Sequence, residues 1–164
     1  MIKLIILDVD GCLSDGKLIY SNEAIESKSF NVKDGLGITT WIKLGNKVAI
    51  ITGRKSLIVE RRAKELGIQH LFQGIKDKDR VLQELLTSLN LKHYEVAAIG
   101  DDLNDYNMLS IVGRSFTPQD GVNEIQALVN NTLKAKGGDG AVREMIDILV
   151  DENDQREEFL SVWI

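Results

Sequence analysis

The sequence predicts an α/β protein, in which a parallel sheet is covered by helices on both faces. Three short aliphatic runs, residues 2–7, 47–51 and 96–99, are typical of buried parallel strands. Segments with the apolar periodicity of amphipathic helices separate these runs along the chain. Strands that alternate with helices from end to end favour a single domain over residues 1–164.

Composition and charge are those of an ordinary globular domain. The 164 residues are 43% hydrophobic and 27% charged, which is enough for a real core. The net charge of −5 gives no reason to expect a nucleic acid as partner. The single cysteine, Cys12, excludes an intrachain disulfide and favours a reducing compartment.

No part of the sequence suggests contact with a membrane. No stretch approaches the roughly 20 apolar residues of a membrane-spanning helix. The first residues lack a signal-peptide pattern, because acidic side chains interrupt the apolar run. We therefore expect a cytoplasmic protein.

The remaining elements are predicted from strand patterns, turn residues and helix caps. In chain order they are a β-hairpin (17–31), a helix (38–44), the strand 47–51, a helix (56–66), a strand (70–72), a helix (77–89), the strand 96–99, a helix (105–112), a strand (115–117), a helix (122–129), an extended segment (131–135) and a helix (141–150). Residues 151–164 form a C-terminal tail that is first polar and then apolar.

Glycines mark the ends of the first two predicted helices. Gly45 stops the first helix, and Gly67 stands where a helix C-cap is expected. The helical periodicity of the second helix assigns four residues to its inward face: Leu57, Ile58, Ala63 and Leu66.

Two aspartates follow the first strand directly. Side chains alternate along a strand, so Asp8 and Asp10 point the same way. Two close carboxylates repel each other, and a hard cation such as Mg²⁺ between them would remove that repulsion. The alternative is a surface turn with two solvated aspartates. Cys12 could be a thiol nucleophile, but no histidine lies near it in sequence, so a small buried residue is favoured.

Polar residues end two further strands as well. Thr52 and Gly53 follow the strand 47–51, and Asp101 and Asp102 follow the strand 96–99. Ligands of parallel α/β sheets bind beyond the carboxyl ends of the strands. The three strand ends are therefore expected to form one functional site.

These residues resemble, in order, the four motifs of the haloacid dehalogenase-like phosphatases. DVDG supplies Asp8 and Asp10, then come Thr52 and Lys78, and GDDLND supplies Asp101. A receiver domain of a response regulator uses the same residue types, but its lysine comes last. The resemblance implies a Rossmann-like fold. The short gaps between motifs imply a capless member of the superfamily.

The resemblance also implies a magnesium-dependent phosphatase. Asp8 would attack phosphorus to form an aspartyl-phosphate, and Asp10 would act first as general acid and then as general base. Thr52 and Lys78 would hold phosphoryl oxygens. Mg²⁺ would be bound by Asp8, by the backbone carbonyl of Asp10 and by Asp101.

Seven stretches of the chain, from DVDGCLSDG to GGDGAVRE, are similar to the 3-deoxy-D-manno-octulosonate 8-phosphate phosphatases. This resemblance implies hydrolysis of that sugar phosphate to Kdo and phosphate, in lipopolysaccharide precursor synthesis. The alternative is a nonulosonate 9-phosphate related to sialic acid, and Arg54 favours the octulosonate. A catalytically idle domain that only mediates oligomerisation would be expected to lack a motif residue, and none is missing.

The same resemblance assigns a set of substrate-binding residues: Asp10, Asn31, Val32, Lys33, Asp34, Gly35, Arg54, Arg62 and Lys78. Lys33 stands where this family is expected to carry arginine. Arg62 could instead be a solvated helix charge. Arg143 could reach a substrate carboxylate or face solvent, and Asp105 could support the site or only face a helix dipole.

A capless site would be open to water, so another element is expected to cover it. The hairpin 17–31 is the candidate, and a lone two-stranded ribbon is only marginally stable. We therefore expect a homo-oligomer, taken as a tetramer, whose hairpins pack together near the active sites. The alternatives are a hairpin folded on its own sheet and, for the tail 151–164, packing on its own domain instead of a neighbour's site.

Overall fold

The computed structural model describes all residues from 1 to 164 and confirms the parallel α/β architecture. The strands are β1 Leu4–Leu7, β2 Ile19–Tyr20, β3 Glu26–Ser27, β4 Lys47–Ile51, β5 His70–Phe72, β6 Val96–Ile99, β7 Arg114–Thr117 and β8 Asn131–Thr132. The helices are α1 Val32–Lys43, α2 Leu57–Leu66, α3 Lys78–Leu89, α4 Tyr106–Ile111, α5 Asn123–Leu128, α6 Ala141–Glu152 and α7 Arg156–Ser161. None of these helices combines the length and the apolar character needed to cross a membrane.

The main sheet has six parallel strands in the order β5-β4-β1-β6-β7-β8. The central strand, β1, is fully buried, and its Leu7 lies between Ile50 of β4 and Ile99 of β6. Because this register is common to the three strands, the residues that follow them leave the sheet at the same edge. The strand order therefore brings together the motif residues that follow β1, β4 and β6.

Each face of the sheet has its own apolar core. Ile5 and Leu7 of β1 belong to the larger cluster, together with Trp41 of α1. Leu4 and Ile6 point the other way, into the cluster that packs against α3. Because side chains alternate along a strand, β1 contributes residues to both cores.

Helix α1 begins six residues earlier than predicted. Asn31, the last residue of the predicted hairpin, caps it by accepting a hydrogen bond from the backbone N–H of Lys33. Gly35 and Gly37 lie inside the helix. A Cβ at Gly35 would come within 2.5 Å of Arg62 Nη2, so this glycine serves close packing against α2 and not a turn.

Two further predictions need correction. Leu57 was assigned to the inward face of α2, but it is 80% exposed because Val59, Ala63 and Leu66 face the core. The segment 131–135 pairs with the sheet only at β8, its first two residues.

The C-terminal tail packs on its own domain, which is one of the two arrangements that the sequence left open. Phe159 of α7 is 2% exposed and belongs to the larger core cluster. The indole N–H of Trp163 donates to Thr40 Oγ1 at 2.9 Å, and Lys43 Nζ lies 4.4 Å from the Trp163 ring centroid. The tail is therefore a structural element of this chain.

Candidate active site

The three strand ends meet in one open cleft of about 280 Å³ at the carboxyl edge of the sheet. Its lining contains no hydrophobic residue and consists of Asp8, Asp10, Gly16, Thr52, Gly53, Arg54, Asp101, Asp102 and Asn104. The structure thus brings Asp8, Thr52 and Asp101 together although they are far apart in the sequence. Asn104, which belongs to the GDDLND stretch of the fourth motif, is a lining residue that the sequence reasoning did not single out.

The loop after β1 presents the first motif through a single irregular turn. It spans residues 9–13, and the N–H of Ser14 donates to the carbonyl of Val9 at 2.9 Å. Gly11 has a φ of +95°, which favours glycine. A Cβ there would also lie 2.0 Å from Asp101 Oδ2, so this glycine lets the acidic loop of β6 approach the first motif.

Lys78 joins two of the acidic residues in the buried floor of the site. Its side chain is 1% exposed, and its Nζ donates to Asp8 Oδ1 at 2.8 Å and to Asp105 Oδ1 at 2.6 Å. Burial opposes the charge, but the two carboxylates raise the pKa of Lys78 above its ordinary value. Lys78 therefore stays an ammonium group beside Asp8.

Asp105 supports the site directly and is more than a dipole-facing residue. It is fully buried, and its second carboxylate oxygen accepts from the N–H of Asp101 at 3.1 Å. One side chain thus connects Lys78 to the loop that carries Asp101. The close approach requires Gly100, where a Cβ would come within 2.5 Å of the Asp105 side chain.

The three acidic residues Asp8, Asp101 and Asp105 have one ammonium group, that of Lys78, close to them. Burial raises the pKa of Asp8 to about 6, with Asp105 adding to the effect and Lys78 opposing it. Burial, followed by the charges of Asp8 and Asp105, raises the pKa of Asp101 to about 8. The pKa values rise because ionising both groups in this cleft is costly without a further positive charge.

A divalent metal ion fits this charge pattern. Ligand atoms of Asp8, Cys12 and Asp101 all lie within 4.8 Å of one another. Burial raises the pKa of the Cys12 thiol well above its ordinary value, so the thiol stays neutral. Carboxylate oxygens are hard ligands suited to Mg²⁺, which leaves Asp8 and Asp101 as the side chains that could hold it.

Asp10 has a partner that the sequence reasoning also missed. Its Oδ1 accepts from Lys28 Nζ, and its Oδ2 lies 3.9 Å from Arg54 Nε. Lys28 follows β3, so the hairpin reaches the cleft of its own chain. The available signal was the alternation of Glu26 and Lys28, which places both side chains on one face of the hairpin.

Thr52 and Arg54 follow β4 and line the same cleft. Thr52 is 2% exposed, and its backbone is fixed by hydrogen bonds of its N–H with Phe72 and of its carbonyl with Ile75. Arg54 lies at the mouth, where its Nη2 donates to Tyr20 Oη at 2.7 Å. Its guanidinium stays 44% exposed, and an incoming anion can reach it.

Several residues predicted to bind substrate lie outside this cleft. Because α1 starts at Val32, the segment 31–35 turns toward α2 and α6. Asp34 is fully buried and accepts from the backbone N–H of Arg143 at 2.8 Å, so it caps α6. Arg62 packs against Gly35 and lines a separate hollow beside Phe30. Within one chain, these residues and the exposed Lys33 do not approach Asp8.

Arg143 is held by its own helix. Its Nε donates to Asp147 Oδ2 at 3.0 Å, one turn along α6, and its guanidinium lies over the Phe159 ring. The loop before α6 does contact the first motif, because the N–H of Gly138 donates to the carbonyl of Cys12 at 2.9 Å.

Comparison with known proteins agrees with this geometry. Residues 72–146 match the family model described as haloacid dehalogenase-like hydrolase. The 3-deoxy-D-manno-octulosonate 8-phosphate phosphatase KdsC of Yersinia pestis is 43% identical over 156 residues, which cover 95% of this chain and 83% of the relative. The Escherichia coli K12 enzyme of the same name is 43% identical over 149 residues, which cover 91% of this chain and 79% of the relative.

Two solved structures extend the likeness to three dimensions. The Moraxella catarrhalis 3-deoxy-D-manno-octulosonate 8-phosphate phosphatase, solved in complex with magnesium ion, phosphate ion and Kdo, has a TM-score of 0.96 and 40% identity, and the match covers 99% of this chain and 94% of that one. The cobalt-bound Haemophilus influenzae phosphatase has a TM-score of 0.88 and 37% identity, and the match covers 92% of this chain and 88% of that one. The chain therefore belongs to the 3-deoxy-D-manno-octulosonate 8-phosphate phosphatase family of haloacid dehalogenase-like hydrolases.

Proposed function

We propose that this protein is a magnesium-dependent phosphatase that hydrolyses 3-deoxy-D-manno-octulosonate 8-phosphate to Kdo and phosphate. The observation that carries the proposal is the buried contact of Asp8 with Lys78 at the point where Asp101 and Thr52 also meet. The names of the relatives supply the sugar, and the reaction class follows from a carboxylate nucleophile in a site rich in charge.

The first half of the reaction transfers the phosphoryl group to the protein. The Asp8 carboxylate attacks phosphorus, and an oxygen–phosphorus bond forms as the bond from phosphorus to the sugar oxygen breaks. Asp10 donates a proton to that leaving oxygen, so free Kdo departs as an alcohol. Lys78 holds Asp8 in place and, with Thr52, offers hydrogen bonds to phosphoryl oxygens.

The second half returns the protein to its starting state. Asp10, now ionised, takes a proton from a water molecule that attacks phosphorus, and the acyl-phosphate bond to Asp8 breaks to release inorganic phosphate. When bound by Asp8 and Asp101, Mg²⁺ supplies positive charge against the phosphoryl oxygens. Arg54 at the mouth of the cleft is suited to the sugar carboxylate, because guanidinium binds such anions with a two-pronged fork.

We further propose that the protein works in the cytoplasm as a homo-oligomer, a tetramer, with active sites near the subunit interfaces. Three hairpin side chains that are about half exposed support an interface: Leu18, Ile19 and Ile25. The position of Val32, Lys33 and Arg62 outside their own cleft is explained if they approach the cleft of a neighbour. The hairpin then contacts its own site with one face and another subunit with the other.

Release of inorganic phosphate tests the proposed function. The substrates are Kdo 8-phosphate and sialic acid 9-phosphate, each with Mg²⁺ or with a chelator, for the wild type and for Asp8→Asn. We expect turnover of Kdo 8-phosphate that needs Mg²⁺ and is lost in Asp8→Asn, and a much lower rate with the nonulosonate. Faster turnover of sialic acid 9-phosphate would favour the alternative substrate. Undiminished activity of Asp8→Asn would exclude the covalent route.

A further inference from the structure

Lys28 is a buried lysine that the reaction as described does not use. Its side chain is 1% exposed, although it lies just after β3 on a two-stranded hairpin. Its Nζ contacts Asp10 Oδ1 and lies 3.4 Å from Glu26 Oε1. Lysine is rarely buried without partners because its ammonium group loses water. Here the side-chain oxygens of Asp10 and Glu26 compensate for that loss.

The inner face of the hairpin is joined to the cleft at two further points. Tyr20 and Glu26 are opposite each other in the register of β2 and β3. Tyr20 Oη accepts from Arg54, and Glu26 Oε2 accepts from Ser56 Oγ at 2.9 Å. These contacts hold the hairpin against the mouth of the cleft in a single chain. Of the three hairpin residues, only Lys28 contacts Asp10, which is the general acid of the proposed reaction.

We propose that Lys28 is a positioning residue that fixes the Asp10 carboxylate toward the leaving oxygen and couples this orientation to docking of the hairpin. The inference rests on the proposed phosphatase function, in which Asp10 carries the proton. Asp10 stands on the irregular turn after β1, beside the positive φ of Gly11. Its only other cationic neighbour, Arg54, is 3.9 Å away and 44% exposed. Lys28 is therefore the group that limits rotation of the Asp10 side chain.

The size of the effect follows from the geometry that proton transfer requires. A general acid must lie within about 3 Å of the atom that it protonates. A displacement of about 1 Å can lower a rate by about 100-fold. Loss of Lys28 is therefore expected to slow the step that protonates the leaving group. It is expected to leave phosphoryl transfer to Asp8 intact when the leaving group needs no proton.

Single-turnover kinetics with two leaving groups test the inference. In Lys28→Met, we expect formation of the phosphoenzyme from Kdo 8-phosphate to fall by about 10- to 100-fold. With p-nitrophenyl phosphate, whose leaving group departs without a proton, release of nitrophenolate should fall by less than about 3-fold. Lys17→Met is the matched control, since Lys17 lies on the same segment with its side chain 77% exposed. It should change neither rate.

Amide hydrogen exchange adds a readout that needs no turnover. Lys28→Met and Asp10→Asn should both speed exchange at residues 19–27 of the hairpin, and Lys17→Met should not. Equal losses with both leaving groups, or no loss at all, would overturn the positioning role while the phosphatase function stands. Unchanged exchange in both variants would overturn the coupling to the hairpin. A wild type that releases phosphate from neither substrate, with exchange still raised in the variants, would refute the proposed function and leave the contact in place.

Discussion

At the scale of single residues, Lys78 decides whether the acidic floor of the cleft can be ionised. It is the first residue of α3, and its Nζ is shared between Asp8 and Asp105. A buried charge that loses its partner costs far more than the pair contributes when complete. The same lysine therefore serves both the stability of the fold and the placement of the nucleophile.

Replacing Lys78 with methionine removes this counter-charge. We expect the free energy of unfolding to fall by about 3–5 kcal/mol at neutral pH, because two carboxylates stay buried without a cation. Part of the loss should be recovered near pH 5, where Asp8, whose pKa burial raises to about 6 even beside Lys78, takes up a proton. Urea unfolding at both pH values in the absence of metal measures this, with Lys64→Met on the exposed face of α2 as control. A Lys78→Met protein as stable as the control would contradict the account.

Asp34 offers a pH-dependent test away from the cleft. Burial raises the pKa of Asp34 from 3.8 to about 6, although its cap contacts with α6 and the charge of Arg62 oppose the shift. The folded state thus holds this proton more tightly than the unfolded chain does, and stability falls as pH rises from about 4 to about 6. Asp34→Asn keeps an oxygen that can accept from Arg143 and has no proton to lose.

We therefore expect Asp34→Asn to gain stability relative to wild type as the pH is raised. The difference in free energy of unfolding should grow by about 3 kcal/mol between about pH 4 and pH 8, from a shift of about two pKa units. Chemical denaturation across that range measures it. A difference that does not change with pH would mean that Asp34 titrates normally in the folded protein.

At the scale of elements, the loop between β8 and α6 supports the first motif from behind. A Cβ at Gly137 would lie 1.8 Å from the carbonyl oxygen of Gly11, and one at Gly138 would lie 2.4 Å from the N–H nitrogen of Asp15. The two backbones can approach so closely only because both residues are glycine. The glycine-rich segment, which looks like a flexible loop in the sequence, is thus packed against the turn that carries Asp10.

Gly137→Ala should displace that turn. We expect kcat to fall by about 10- to 100-fold, because a shift of about 1 Å at the catalytic groups is enough for such a loss. Gly45→Ala is the matched control: its φ of +85° makes the change unfavourable, but no atom lies within 4 Å and the site is remote. The control should lose stability and keep its kcat. Equal kcat values for the two variants would show that the loop does not set the geometry of the motif.

The sequence predicts the elements of the sheet well because their signals are local. The buried strands β4 and β6 and the C-cap at Gly67 come from short runs of residues. The early start of α1 could not be predicted, since glycine usually interrupts a helix and Gly35 is required here by the close approach of Arg62 from α2. The same holds for Lys28, whose burial depends on how the hairpin folds back onto the cleft. Contacts that one element makes with another leave no local pattern.

At the scale of the whole molecule, one face of the hairpin is committed to its own cleft and the other is free for a partner. Ile19 and Ile25 are 51% and 59% exposed, with Leu18 beside them. Apolar side chains grouped in this way favour association. The proposed oligomer therefore assigns each face of the hairpin a different contact.

Charges on the outer face of the hairpin should dissociate the oligomer. In the double variant Ile19→Glu and Ile25→Glu, we expect the molar mass from light scattering to fall toward that of one chain, and kcat/KM for Kdo 8-phosphate to fall by at least about 10-fold because the site loses its cover. Tyr94→Glu is the control, since Tyr94 is 70% exposed just before β6, at the opposite edge of the sheet. A wild type that is monomeric and fully active would refute the shared-site arrangement.

The measurement that tests the central claim most directly is detection of the covalent intermediate. Wild-type protein with Mg²⁺ is mixed with radiolabelled Kdo 8-phosphate, quenched in acid within one turnover, and digested for mass spectrometry. The account predicts a labelled acyl-phosphate on the peptide that contains Asp8, and none in Asp8→Asn. Phosphate release without any covalent label, or a label on another residue, would contradict it.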